Sequence, residues 1–292
     1  MKLVGIEAGG TKFILGVADE TGTILVRERI DTTDPASTLT ACADFIEKHQ
    51  PDAVGIACFG PLDLDPKSAT YGNITSTPKP GWQNVEVVKT LQKQFKGPIA
   101  LDTDVNGAAL AESLWGAGQG KDPLVYITIG TGIGAGLIVN GQAVHGMLHP
   151  EFGHITLRSH PKDDFKGVCP YHDYCLEGLA SGPSIEKRFS TKATNLDQHH
   201  PAWQFESHYL AQACANLVLT VSPQRIILGG GVMHQDHLFK MIKEDLKRIL
   251  NGYIQHPYIL EADDFIVAPG LGDDAGLMGA FALAKQTHPM KR

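Results

Sequence analysis

The chain opens with three runs of apolar and β-branched positions, "LVGIEAG", "KFILGVADE" and "GTILVRERIDT". Glycine turns at Gly9-Gly10 and Thr21-Gly22 separate them, the pattern of consecutive strands. From Pro35 to His49 the spacing becomes helical, with Leu39, Cys42, Phe45 and Ile46 on one face. "DAVGIACFG" reads as a buried strand ending at Gly60-Pro61, and "NVEVVKTLQKQF" as a helix. "PIALDTD" is a strand and "VNGAALAESLWG" an Ala-rich helix. Such alternation implies right-handed crossovers and a largely parallel sheet. Near Gly118-Gln119-Gly120 the cycle begins again: "DPLVYITIGTGIGAGLIVNGQAV" repeats strand, Gly/Thr turn, strand, Gly turn, strand. The helix "YLAQACANLVLTVS", the strand "QRIILGGGV" and the helix "LFKMIKEDLKRIL" follow. The expectation is a duplicated α/β fold with a cleft between its halves. Residues 145–205, rich in His, Pro, Gly and Asp, carry no clear period. So long an irregular stretch is usually functional or metal-tied.

At 292 residues the chain exceeds one typical hydrophobic core, which favours two domains. A net charge of −7 argues against a general binder of nucleic acid or anionic membrane. No apolar run reaches the ~18–20 residues that span a bilayer. "MKLVGIEAGG" has one Lys and then a glycine-broken strand, so it is not read as a signal peptide. Of the five cysteines, Cys42, Cys58 and Cys214 lie in apolar or helical settings. Buried thiols of this kind suit a reducing cytoplasm better than a disulfide framework.

Three local patterns carry chemistry. "EAGGTKF" (Glu7–Phe13) places two glycines and a Thr at a strand–strand turn. It is either an ordinary hairpin turn or a nest of backbone N–H groups for phosphate oxygens, to which Thr11 and Lys12 add a hydroxyl and a cation. "IGTGIGAG" (Ile129–Gly136) has the same chemistry, and two such turns in matching halves favour phosphate binding. No Walker-type loop occurs. In "LDTDVNG", Asp102 and Asp104 both stand at the carboxyl end of a strand, where α/β ligand sites open. Alternation puts them on one side, so spacing does not separate them. "VCPYHDYCLEG" (Val168–Gly178) offers Cys169, His172 and Cys175, three of the four N or S ligands that zinc takes. On spacing alone His160 is one source of the fourth.

"GIEAGGTK", "DTDVNGAALAE", "ITIGTGIGAGLIVNG", "PEFGHI", "CLEGLASGPS" and "ILGGGV" follow one another as in the ROK sugar kinases, which the whole chain resembles. These are bacterial hexokinase-like, ATP-dependent enzymes with the duplicated actin/Hsp70-like (ribonuclease H-like) ATPase fold. "EAGGTKF" and Cys-x-x-His-x-x-Cys resemble, within the family, the zinc-containing bacterial fructokinases. The resemblance implies an N-terminal α/β domain over 1–117, completed by a C-terminal helix at about 276–292. It implies a second domain over 118–275 with a zinc-tied loop at about 145–180.

It further implies that Gly9, Gly10, Thr11, Lys12, Thr131 and Gly132 hold ATP phosphates. Pro183, Gly229, Gly230, Gly231, Val232 and Met233 would border the nucleotide, the glycines being alternatively a helix-initiating loop. The Asp before "VNGAALAE", Asp104, matches the catalytic base, although an Asp there could equally cap the helix. Glu151, His154 and Glu177 would contact the sugar; Asn73 is placed near it because its loop follows the strand that ends at Gly60-Pro61, and Trp82 is read as packing in the core or a lid. The family's Glu-x-Gly-His histidine is a metal ligand, giving the set His154, Cys169, His172 and Cys175. A zinc with four protein ligands is structural.

The implied reaction is ATP-dependent phosphorylation of D-fructose to fructose 6-phosphate with Mg²⁺, in a cytoplasmic homodimer with no nucleic-acid or membrane partner. Many ROK glucokinases carry Asp where this chain has Glu7 and Asn where it has Thr103, which weakens a glucose assignment. Mannose, glucose and N-acetylmannosamine remain alternatives. A sugar-responsive regulator of the same family would need a helix-turn-helix segment, for which a first strand starting at Leu3 leaves no room.

Overall fold

A computed structural model describes residues 1–287. The chain begins with β1 (Lys2–Ala8), β2 (Lys12–Asp19), β3 (Ile24–Asp31), α1 (Pro35–His49) and β4 (Ala53–Cys58). Then come α2 (Val87–Leu91), β5 (Ile99–Thr103), α3 (Asp104–Trp115), β6 (Leu124–Ile129), β7 (Ile133–Val139) and β8 (Gln142–Ala143). They are followed by α4 (Leu176–Ala180), α5 (Gly182–Phe189), α6 (Ala202–Thr220), β9 (Arg225–Gly229) and α7 (His237–Leu250). The last elements are α8 (Pro257–Glu261), β10 (Ile266–Val267) and α9 (Ala275–Gln286). The part of the expected C-terminal helix beyond residue 287 lies outside the described residues.

The strands form two five-stranded mixed sheets, β3-β2-β1-β4-β5 and β10-β9-β6-β7-β8. In the first, β1 pairs antiparallel with β2 and parallel with β4, which pairs parallel with β5. In the second, β6 pairs antiparallel with β7 and parallel with β9. The same plan of hairpin plus crossover occurs twice, the expected duplication. Two compact units result: Met1–Gln119 with Gln142–Pro150 and Gly270–Arg292, and Gly120–Gly141 with Glu151–Pro269.

In the first unit all six residues of β4 are buried, the signature of a strand covered on both faces. Helix α1 packs Leu39, Cys42, Phe45 and Ile46 into a core with Val4, Ile6, Leu15, Val54 and Ile56. Asp34 caps it by accepting from the Ser37 N–H, and Pro35 sits in its first turn. Trp82 is fully buried, its ring 5.6 Å from both Phe13 and Phe59, and donates to the Thr33 carbonyl. It is a core anchor. Helix α9 lies against β1, β4 and α3. In the second unit α6 packs on α7 and α4.

Two differences from the sequence expectation have local causes. The helix expected over "NVEVVKTLQKQF" is only α2, because Asn84 takes a left-handed φ of 58° and Glu86 is held in a bridge to Asn73. Conversely, the stretch 145–205 contains α4 and α5, too short to show a period. Their turns are fixed instead by side chains: Cys175 accepts from the Gly178 N–H, and Arg188 reaches back to the Leu179 carbonyl.

Helix α3 is tied down at its C-terminal end by Glu112, a fully buried carboxylate. It accepts from the N–H groups of Ala117 (2.6 Å), Gly270 (3.0 Å) and Leu271 (2.9 Å). Substituting Glu112→Ala strands these donors and is expected to destabilise the fold by roughly 2–3 kcal/mol. Thermal unfolding measures it, and a melting temperature within a degree of the parent's contradicts it.

Candidate active site and metal centre

In the first unit the turn Gly9–Lys12 joins β1 to β2. It is closed by Gly9 N–H to the Lys12 carbonyl at 3.0 Å, and Thr32 Oγ1 donates to the Gly9 carbonyl at 2.8 Å. Gly10, Thr11 and Lys12 are exposed, and nothing lies within 4 Å of where a Gly10 Cβ would be. The turn is open to a ligand. Lys79, which sequence reasoning missed, donates from Nζ to the Gly10 carbonyl at 2.5 Å. The N–H of the buried Trp82 donates to the Lys79 carbonyl, which ties this loop to the core.

The two aspartates of "LDTDVNG" have different environments. Strand β5 ends at Thr103, so alternation does not carry through to Asp104, which begins α3. This corrects the expectation that both face one side. Asp102 is 4% exposed; its Oδ1 accepts from the Thr103 N–H (2.7 Å) and Asn106 Nδ2 (2.8 Å), and its Oδ2 faces His145 Nε2 at 2.9 Å. Asp104 is exposed, and its Oδ1 accepts from the Val105 N–H at 2.9 Å. The helix cap is Thr103, whose Oγ1 accepts from the Asn106 N–H at 3.2 Å. Thr103, not Asp104, is therefore the cap. Burial raises the proton affinity of Glu7 at the end of β1; Lys12 lowers it and the charge of Asp104 raises it further. Asn73 is 5% exposed, and its Oδ1 meets no hydrogen-bond partner among the described residues.

In the second unit the turn Gly130–Gly132 joins β6 to β7. Gly130 donates to the Gly132 carbonyl and accepts from the Gly182 N–H at 2.8 Å, tying the turn to the first residue of α5. Pro183 lies in that first turn of α5, and Thr131 is exposed. Glu177, in the first turn of α4, accepts the Ile133 N–H on Oε2 at 2.9 Å, so it stands against the same glycine turn. After β9, Gly230 has φ of +89°, and a Cβ there would lie 2.4 Å from the Ile129 carbonyl oxygen. Only glycine fits that conformation and contact. Val232 and Met233 are buried, at 3% and 4% exposure, while Gly231 is exposed. The surface of this turn is thus backbone.

The chain enters the second unit at Glu151, which is exposed. In the following 3₁₀ turn, Phe152–His154, a Cβ on Gly153 would fall 1.9 Å from the Ile133 carbonyl oxygen. The glycine lets this turn lie directly on β7. His154, Cys169, His172 and Cys175 come together, with one ligand atom from each within 4.8 Å of the others. His154 Nδ1 lies 3.8 Å from both sulfurs, and His172 Nδ1 lies 3.6 Å from Cys169 Sγ. A tetrahedron with Zn–N and Zn–S bonds of about 2.0–2.3 Å has edges of about 3.3–3.8 Å, so the four residues fit zinc. Burial pushes the Cys175 thiol up to about 11, so a thiolate there needs a cation beside it. His160, the rival on spacing, instead meets Phe205 and His208 edge-on, with ring centroids 5.0 Å away in both cases.

His145 and His149 also escaped the sequence reading. His149 Nε2 accepts from the Leu62 N–H at 3.3 Å, and His145 meets Asp102. Their partners lie far off in sequence, so no local spacing announces them. Among the described residues no helix is long and apolar enough to cross a membrane.

The profile of the ROK family matches residues 3–287. The chain is 45% identical over 285 residues to a fructokinase of Pediococcus pentosaceus, covering 98% of each protein. It is 45% identical over 288 residues to a fructokinase of Zymomonas mobilis subsp. mobilis, covering 96% of this chain and 95% of that one. Among solved structures, the ROK hexokinase from Thermus thermophilus superposes with a TM-score of 0.83 at 28% identity, over 98% of this chain and 99% of that one. The two mixed sheets are those of the actin-like ATPase fold, and the chain belongs to the ROK family.

Proposed function

We propose that the chain is a fructokinase, transferring the γ-phosphoryl group of ATP to the 6-hydroxyl of D-fructose. The observation that carries the chemistry is the exposed carboxylate of Asp104 at the β5–α3 junction, beside an Asp102 already fully engaged. The relatives named fructokinase supply the choice of sugar.

Asp104 accepts the proton of the hydroxyl as its oxygen bonds to the γ-phosphorus. The bond from that phosphorus to the bridging oxygen breaks, ADP leaves, and Asp104 later returns the proton to solvent. In the first unit, the backbone of Gly9 and Gly10, with Thr11 and Lys12, binds phosphate oxygens. In the second, Thr131 and Gly132 do the same, and Pro183 with the backbone of Gly229 to Met233 borders the adenosine. Mg²⁺, bound with ATP, supplies charge neutralisation on the phosphates. Asn73, Glu151, His154 and Glu177 hold sugar hydroxyls; the buried, unpartnered Oδ1 of Asn73 is an acceptor suited to one of them.

Zinc would be held by His154, Cys169, His172 and Cys175. With four protein ligands it has no position for a reactive water, so its contribution is to fold the loop that bears Glu151 and Glu177. His154 turns Nδ1 to the cluster, which leaves Nε2 for the sugar. A homodimer is the assembly we expect.

Asp104→Asn is expected to lower kcat by ~10²–10⁴-fold with ADP affinity retained; a coupled ADP-release assay checks it, and near-parental turnover rejects Asp104 as the base. Across fructose, glucose, mannose and N-acetylmannosamine, kcat/KM is expected to be highest for fructose; clear preference for another sugar overturns the assignment. Elemental analysis is expected to find one zinc per chain, and chelation to lower thermal stability and sugar affinity together. Full activity in demonstrably zinc-free protein would contradict the structural role.

A further inference from the structure

Asp102 and Asp104 are two residues apart, and a carboxylate next to a general base opposes the base's ionisation. What balances Asp102 is therefore part of the chemistry. Its Oδ1 receives two neutral donors, the Thr103 N–H and the Asn106 amide, and its Oδ2 receives His145 Nε2 at 2.9 Å. The Ala143 backbone favours the charged ring as well, as the smallest of the influences on it. A buried carboxylate at hydrogen-bond distance favours the charged form of the ring. His145 lies in the segment 142–150, which belongs to the same unit as β5 and α3, and whose far end is fastened by His149 to the Leu62 N–H.

We propose that His145 is a positioning residue for phosphoryl transfer: its imidazolium is the fixed counter-charge of Asp102, so that the β5–α3 junction presents the charge of Asp104 without a second carboxylate charge beside it. The inference rests on the reading of Asp104 as the base. The hydrogen bond to Asp102 raises the proton affinity of His145, against the opposing effect of burial. Other groups stand around the pair. The Asn106 amide of α3 stands 3.5 Å from His145 Nε2 and carries no charge, and the Tyr71 phenol is pushed up by burial and then by Asp102. Beyond Asp104 the charges run on to Glu7, on which Lys12, Arg27 and Asp274 also act. Because the folded value of His145 is raised, the stabilisation from the pair is full below its unfolded value. It is lost as pH rises through the folded one.

The test is the pH dependence of kcat with MgATP and fructose. In His145→Gln the uncompensated Asp102 is expected to move the acid limb upward by about one pH unit. In the double variant His145→Gln/Asp102→Asn, which removes both charges, the limb is expected to return to the parental position. A limb that stays in place in His145→Gln, or that is not restored in the double variant, overturns the proposal and leaves only a loop contact. Should the variants fail to fold, imidazole NMR of the parent protein decides. A His145 resonance titrating clearly above the free-histidine range of about 6.5 supports the pair, and one at or below it overturns it. Activity surviving in Asp104→Asn would instead sink the base assignment, while the NMR titration would still judge the pair.

Discussion

The structure depends on the fixing of one helix at both ends by buried carboxylates. At the start of α3, Asp102 gathers the Thr103 N–H, the Asn106 amide and His145; at its end, Glu112 gathers three N–H groups, two of them from residues 270–271. Each carboxylate is expensive to bury, and each is retained because its oxygens are filled by donors. The result is a stiff rod whose first residue is Asp104. The general base proposed at Asp104 needs that stiffness, since a shift of ~1 Å in a reacting group can cost ~10²-fold.

The second unit solves a different problem with a different device. The chain from Glu151 to Cys175 holds little regular structure, so backbone hydrogen bonding alone cannot fix it. Four side chains of the Cys/His cluster substitute for a hydrophobic core there. Gly153 lets the start of that segment sit on β7, and Cys175 both joins the cluster and caps α4. Glu177 follows two residues later and is locked to the Ile133 N–H. A loop tied by such a cluster would respond as a whole to the presence or loss of a metal, the basis for coupling folding to sugar binding in the proposed function.

The fold was largely legible in the sequence because its signals are local. Runs such as "DAVGIACFG" and the helical face Leu39, Cys42, Phe45, Ile46 are set by neighbours in the chain. The repeat of strand, glycine turn and strand disclosed the duplication. Short helices α4 and α5 were not legible, since their stability is tertiary and five to eight residues cannot display a period. At the site the same division holds. Cys169, His172 and Cys175 announce themselves by spacing, whereas His145, Lys79 and His149 act on partners tens of residues away. Asp102 and Asp104 look equivalent in sequence and differ only because β5 stops between them.

The most direct measurement is ³¹P NMR of the purified chain turning over MgATP and D-fructose. ADP and a phosphomonoester coupled to the C6 protons of fructose are expected to appear in equal amounts. Inorganic phosphate in place of a sugar ester, an ester at C1, or no ATP consumption would contradict the proposed reaction.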